Sequence, residues 1–462
     1  MSAKRTDLDM TKGNPMSIIL KFTMTIMLGN IAQQLYNICD TIIVGRFVNP
    51  DALAAVGATG TIMFFMIGTS NGLVSGFTIL TSQKYGAMDL KGVKATVTNG
   101  FYLAIGFAAI ITSLGLAFMR PLLVLMNTPS DFFDYALTYI STICAGMVCN
   151  ILYNYCASLM RAIGNSKMPL IIVLCSAATN ICLDLLFIIV FGMETFGAAL
   201  ATVISQGLAV IPCLIFIFVK MPVLKPGKSD WKIDFATIKQ QLRLGFPMAV
   251  QYGITASGTV IMQSAFNTFD SVAVTAITAA SKFQNIITQG MFTIGQTMAA
   301  YAGQNYGARN MKRIRQGVGA ALKMYVVYFI VAALIAVFVA PHILWIFFDG
   351  DVDVSIYIPW AKTYLIECAV CYYFLAMIFI FRHTIQSVGY AGIATVMGFI
   401  ELAVRMVTSF CSIYLHNYYL AVASDPAAWV FAGVAGMIMA LVIFKKIEKR
   451  WAEEDTVGVN TD

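Results

Sequence analysis

Two aspartates stand inside or at the edge of long apolar runs of this chain, and each is a place where proton or cation chemistry could occur. Asp40 closes a run from about 16 to 39, and Asp184 lies in the outer half of another from about 168 to 191. Asn180 precedes Asp184 by one helical turn, so amide and carboxylate share a face. Ionisable side chains at membrane depth are costly and are kept for a protein interior or an aqueous cavity. Two carboxylates at similar depth, with an amide beside one of them, can hold a proton or coordinate Na⁺. Thr202, on the next apolar run, can supply a hydroxyl oxygen. The competing role is structural for Asp184, an interhelical hydrogen bond, and interfacial for Asp40, which counting places near water.

The remaining charged groups read more plainly. Lys282 has no acid near it in sequence, and its ammonium can snorkel toward an interface. Asp270 reads as a solvated loop-edge residue and Glu367 as unpaired, whereas Glu401 and Arg405, four apart, can neutralise one another. Cys368 and Cys371 form one CxxC without a second ligand pair. The ten cysteines lie almost all in apolar runs and read as small buried hydrophobes, with no disulfide framework. His342, His383 and His416 each lie near a loop, in no HExxH-like spacing. An integral membrane enzyme, which would need a base, nucleophile or metal set, is thereby left without one. No cofactor is expected beyond a coupling ion, H⁺ or Na⁺.

Long apolar helices must position these groups. Hydrophobic residues make up 59% of the chain and charged residues 11%, with a mean hydropathy of +0.78, against about 25% charged in soluble domains. A spanning helix needs roughly 20 apolar residues to cross a hydrocarbon core about 30 Å thick. The pattern predicts an all-α integral membrane protein of about twelve transmembrane helices in two six-helix bundles. The first six fall near 16–39, 53–80, 95–118, 135–157, 168–191 and 196–219. The second six fall near 244–269, 273–303, 317–348, 357–381, 391–415 and 419–444. The chain then divides into an amino-terminal lobe over 1–219, a cytoplasmic linker over 220–243 containing Lys225-Pro226-Gly227-Lys228, and a carboxy-terminal lobe with tail over 244–462. Pro15 and Pro247 read as first-turn prolines opening each half. Gly29, Gly57, Gly60, Gly68, Gly72 and Gly76 permit close packing of the first two spans.

Charge sets the expected orientation. Lysines and arginines from Lys4 and Arg5 to Lys449 and Arg450 concentrate in one set of loops, and the other set holds only Arg46, Arg120 and Lys362. Basic residues are retained inside, so both termini are expected in the cytoplasm of a prokaryote, with the chain in its plasma membrane and the first span acting as targeting signal. The net charge of +7 is then a topology signal with some attraction to anionic lipid, and no nucleic-acid partner is implied.

The halves repeat. Gln33, Asn37 and Asp40 match Gln263, Asn267 and Asp270 at an offset of 230, and Gln83-Lys84-Tyr85-Gly86-Ala87 matches Gln304-Asn305-Tyr306-Gly307-Ala308 at 221. The change of offset predicts an outer loop nine residues shorter in the second half. Six spans per half give both halves one orientation, related by an axis along the membrane normal, as in transporters with a cavity between repeats. The 26 methionines and 12% aromatic residues would suit such a cavity with an adaptable lining.

These residues carry a resemblance to the multidrug and toxic compound extrusion (MATE) family of the MOP superfamily over essentially the full length. It lies in Asn30-Ile31-Ala32-Gln33-Gln34-Leu35-Tyr36-Asn37 leading to Asp40-Thr41-Ile42-Ile43-Val44-Gly45, and in the Gln83 and Gln304 motifs. Arg161-Ala162-Ile163-Gly164-Asn165-Ser166 and Asn180-Ile181-Cys182-Leu183-Asp184 extend it. The resemblance implies an antiporter, monomeric in the bilayer, that expels small organic compounds, often cations, against inward flow of Na⁺ or H⁺. It places the coupling-cation site on Asp40, Asn180, Asp184 and Thr202 and makes Gln34, with Asn37 and Lys282, candidates for the substrate cavity. Thr255 stands near where NorM-type members carry a glutamate, so the chain is closer to the DinF-like or MepA-like branches. A flippase of the same superfamily, moving lipid-linked sugars, is the alternative, although a strongly cationic cavity would be expected and Lys282 is alone.

Overall fold

A computed structural model describes residues 8–339, 342 and 353–459 of the protein. Lys4, Arg5 and the end of the ninth expected span, 340–348, fall wholly or largely outside these. Helix α1 (Pro15–Phe47) opens on a proline, whose missing N–H is no loss in a first turn. Asn49 then caps α2 (Pro50–Gly86), its side chain accepting the Ala52 N–H at 2.7 Å. Asp89 caps α3 (Leu90–Leu125) through the Gly92 N–H at 2.8 Å. Helices α4 (Ser130–Ala145) and α5 (Met147–Ala162) form one rod bent by 47° at Gly146. Helix α6 (Lys167–Asp184) runs without a break into a π-helical segment, Leu185–Val190, before α7 (Glu194–Lys220).

The second half contains α8 (Phe235–Phe266), α9 (Ser271–Gly307) and α10 (Met311–Leu334), the last continued by π-helical Ile335–Val339. It ends with α11 (Ile358–Ser387), α12 (Ala391–Leu415), the short α13 (Tyr418–Val422) and α14 (Ser424–Val459). Among the described residues nine helices are long and apolar enough to cross a membrane, or ten counting the bent pair. Helices α8 and α9, 32 and 37 residues long, have the length but fall outside that set. With them the rods number twelve, six per half, and the chain is an all-α, multi-pass membrane protein.

Three details differ from the sequence expectations. Helix α1 runs past Asp40 to Phe47, so Asp40 is two turns inside its helix and buried, not at a water interface. A polar residue ends a span only where it faces water; here it faces protein. Pro247 lies inside α8, which begins at Phe235 on a polar stretch that apolar windows miss. The repeat runs at 221 throughout this region: Asp270 caps α9 through the Ala273 N–H at 2.9 Å, in the same place where Asn49 caps α2. The offset of 230 is therefore a chance match, and the second-half loop, at 267–270, is not shorter than the first, at 48–49.

The chain forms two compact units. One comprises Met1–Asp9 and Met24–Tyr252. Its core draws on α2, α3, α5 and α7, with Leu73, Phe77, Val97, Tyr155 and Cys213 among the buried members. Helices α2 and α8 approach to backbone contact within this unit: a Cβ on Gly76 would lie 2.2 Å from Gly245 Cα, and one on Gly72 2.7 Å from the Met248 carbonyl oxygen. Gly57 and Gly60 face nothing within 4 Å, so packing is not their role here. The polar segment after α7 docks on α3, with Thr98 donating to the Asp230 carbonyl at 2.9 Å and Trp231 edge-on to Phe101.

The other unit comprises Met10–Thr23 and Gly253–Asp462. Its most buried spanning helix is α11, which packs against α9 and α14. The second copy of the repeated motif has a structural task in this unit. Gln304 accepts the Met10 N–H at 3.2 Å, and Asn305 donates to the Met10 carbonyl at 3.1 Å. Both are fully buried beneath the chain segment they hold.

Asp89 supports a pH-dependent prediction. The Gly92 N–H and the Lys84 ammonium, 3.0 Å away, hold its carboxyl below the usual carboxylate range. A lowered folded-state value adds stability above the unfolded value and loses it as pH falls through the folded one. Asp89→Ala is expected to destabilise the protein by about 1 kcal/mol at neutral pH. In paired thermal melts that gap should narrow as the pH is taken below about 4. A gap unchanged across the range would show that the carboxylate charge contributes nothing.

Candidate functional site

The two aspartates singled out in the sequence meet in the Met24–Tyr252 unit. Asp40 comes from α1, Asn180 and Asp184 from successive turns of one face of α6, and Thr202 from α7. All four are buried, Asp184 completely. The Asn180 amide nitrogen donates to the Thr202 hydroxyl at 3.4 Å, which ties α6 to α7 and turns the amide oxygen the other way. Ser205 and Ser176 continue the polar seam, Ser176 donating to the Ser205 carbonyl at 3.1 Å. Asp184 lies within range of the charge of Asp40. An apolar group containing Ile43, Val44, Tyr139, Ile188 and Ala198 is drawn from α1, α4, the π-helical segment and α7.

Three further residues belong to this cluster and were not picked out in the sequence. Tyr36, one turn before Asp40, brings its hydroxyl up to Thr202 and Gln206. Tyr139 on α4 stands in the field of Tyr36, Asp40 and Asp184. The spacing of Tyr36 to Asp40 and of Thr202 to Gln206 is a helical turn, a usable signal. Tyr139 has no such neighbour and could be found only from the fold.

What distinguishes the cluster is its acceptors. Asp40 Oδ1, Asn180 Oδ1 and both Asp184 oxygens are buried without a hydrogen-bond partner. Buried polar groups are almost always paired, and an unpaired buried carboxylate is strongly disfavoured. Four orphaned oxygens on three side chains of this cluster are groups that a proton or a hard, oxygen-loving cation would satisfy.

The other candidates are not members of this cluster. Gln34 and Asn37 are exposed on α1 and linked to each other at 3.3 Å. Lys282 is exposed on α9, in the other unit. Glu401 and Arg405 do pair, at 3.9 Å, but each has a better partner. Arg382 bonds Glu401, and Arg405 Nε donates to Asp425 at 2.8 Å, giving a buried chain of alternating charges across α11, α12 and α14. Cys368 and Cys371 are free thiols, and no group of three or more His, Cys, Asp or Glu able to hold a metal occurs among the described residues.

The MatE family profile matches residues 25–186 and 247–411. Probable multidrug resistance protein YpnP of Bacillus subtilis (strain 168) is 31% identical over 313 residues, covering 66% of this chain and 68% of that protein. Probable multidrug resistance protein YoeA of the same strain is 25% identical over 325 residues, covering 69% and 70%. Among solved structures, the outward-facing conformation of a multidrug resistance MATE family transporter of the MOP superfamily superposes with a TM-score of 0.90 at 18% identity, over 96% of this chain and 99% of that one. This chain belongs to the MatE family, whose members are multi-pass membrane transporters and not enzymes.

Proposed function

We propose that the protein is a cation-coupled antiporter that expels small organic compounds, often cationic, from a prokaryotic cell by alternating access. The observation that carries this reading is the set of orphaned oxygens on Asp40, Asn180 and Asp184. Two buried carboxylates with three oxygens lacking donors need a positive charge, and a site that needs one can release it only by changing shape or exchanging it. The donors, two carboxylates, an amide carbonyl and a hydroxyl, are all hard oxygens and suit Na⁺ or H⁺ alike. Protonation or Na⁺ binding then biases this unit toward outward release of substrate. By linkage, ion and substrate weaken each other's binding by the same factor. The names of the Bacillus relatives support multidrug export as the physiological task. Gln34, Asn37 and Lys282 are the side chains proposed to meet substrate, and the protein works as a monomer in the plasma membrane with both termini cytoplasmic.

The test is reconstitution in liposomes, with efflux of a fluorescent organic cation followed under separately imposed Na⁺ and pH gradients. Efflux driven by one gradient and not the other supports antiport and names the ion. Absence of efflux under either gradient, together with scrambling of a lipid-linked sugar, would replace the reading with a flippase.

A further inference from the structure

The Gly253–Asp462 unit repeats the helix crossing that builds the candidate cation site, with different side chains. The turns before α6 and α12 each contain a glycine at positive φ, Gly164 at +96° and Gly389 at +94°, and these lie 225 residues apart. At that spacing Tyr139 corresponds to Tyr364, Asn180 to Arg405 and Asp184 to Ser409. The contacts join the same pairs of helices, although Asp425 stands two residues before Ala427, the position that corresponds to Thr202. Asn180 reaches across to Thr202 on α7, and Arg405 reaches across to Asp425 on α14. Tyr139 stands in the field of Asp40 and Asp184, and Tyr364 in that of Asp425. Ser409, at the position of Asp184, is buried and pairs with Ser424 at 3.4 Å.

The two versions differ in how they are satisfied. In the Met24–Tyr252 unit four oxygens lack donors, whereas no atom of Glu401, Arg405 or Asp425 is among the buried ones without a partner. The Arg405 guanidinium lies between Asp425 and Glu401, and Glu401 is also bonded by Arg382. Here carboxylates and a tyrosine surround a positive charge that is covalently attached to the chain. Helix α8 closes over it, since a Cβ on Gly258 would meet Arg405 Nη1 at 2.8 Å.

We propose that Glu401, Asp425 and Tyr364 form the second unit's counterpart of the cation site, permanently occupied by the protein's own Arg405 guanidinium. That unit then takes up no free coupling ion, and ion coupling is confined to the first. The proposal rests on reading the Asp184 cluster as a cation site, but its test does not depend on transport. Its core is binding of radiolabelled guanidinium to purified full-length protein carrying Asp184→Asn, so that the first site is silent. Adding Arg405→Ala is expected to create one equivalent of saturable guanidinium binding at millimolar concentration. Adding Asp425→Asn as well should abolish it. Thermal melts give a parallel readout: Arg405→Ala should lower Tm by about 5–10 °C. Methylguanidinium should restore at least half of that loss, and equimolar tetramethylammonium should not. No binding in Arg405→Ala, or binding indifferent to Asp425→Asn, overturns the proposal. If Arg405→Ala does not fold, Asp184→Asn alone decides through ²²Na⁺ binding. None above background is expected, and residual binding that Asp425→Asn removes refutes the proposal. Failure of the protein to transport drugs would refute the antiporter reading and leave these measurements standing.

Discussion

Asp184→Asn is expected to reduce gradient-driven efflux by about 100-fold while leaving the fold intact. The substitution keeps size and shape and removes the charge that two unpartnered oxygens would otherwise present inside the protein. A carboxamide needs neither proton nor Na⁺, so the free-energy link between ion and substrate, of the order of 1–3 kcal/mol, disappears. Two readouts separate this from simple damage. Wild-type thermal stability should rise with the coupling ion by about 2.7 kcal/mol at one hundred times its Kd, and the variant's should be flat. Substrate should also still bind, with an affinity that no longer responds to the ion. Asp40→Asn should behave in the same direction. Undiminished efflux in both variants would return the aspartates to a packing role.

The second large effect is purely steric. Gly76→Ile is expected to prevent accumulation of folded protein. Its Cβ alone would stand 2.2 Å from Gly245 Cα and 2.5 Å from the Gly245 nitrogen. These are backbone atoms, which cannot rotate away, so α2 and α8 would have to separate along the whole line from Gly68 to Gly76. Overpacking that displaces backbone belongs to the destabilising extreme, above about 4 kcal/mol. Gly57→Ala on the same helix is the control, since nothing lies within 4 Å of its added carbon. It should be neutral or stabilising by less than about 1 kcal/mol. Fluorescence-detected size-exclusion profiles of the two variants suffice, and a normal monodisperse peak for Gly76→Ile would contradict the packing described.

Much of this was legible in the sequence because membranes impose a coarse grammar. Apolar runs read together with Gly, Pro and charge punctuation place all twelve rods, and the helix over 391–415 is found to the residue. Apolar windows fail where a helix carries a polar flank, as at Phe235 in α8, or a single buried acid, as at Asp40 in α1, because apolarity reports exposure to lipid and not helicity. Asp40 and Asp184 could be nominated from cost alone, since ionisable groups are rare at depth, and Asn180 and Thr202 joined them through helical spacing and the family resemblance. Their convergence, and the presence of Tyr139, depend on how α1, α4, α6 and α7 pack, which periodicity does not encode. The pairing of Arg405 with Asp425 was hidden for a similar reason. Glu401 is the nearer acid in sequence, but a helical i,i+4 pair holds less well than a carboxylate presented from a facing helix. The match of Asp270 to Asp40 misled because three spaced polar residues recur easily by chance. Helix caps give a firmer register, since they mark where each helix begins.

The π-helical segment Leu185–Val190 bears on which insertions and deletions the gene could tolerate. A π turn carries one residue more than the α turn it replaces, so loss of a single residue there would restore ordinary helix and rotate only the turns downstream of it. Asn180 and Asp184 precede the segment and Thr202 lies on the next helix, so all three would keep their places. The same loss between Lys167 and Asn180 would turn Asp184 by about 100° around its helix and break the cluster. Homologous chains are therefore expected to vary in length just after this aspartate and to be invariant in length before it.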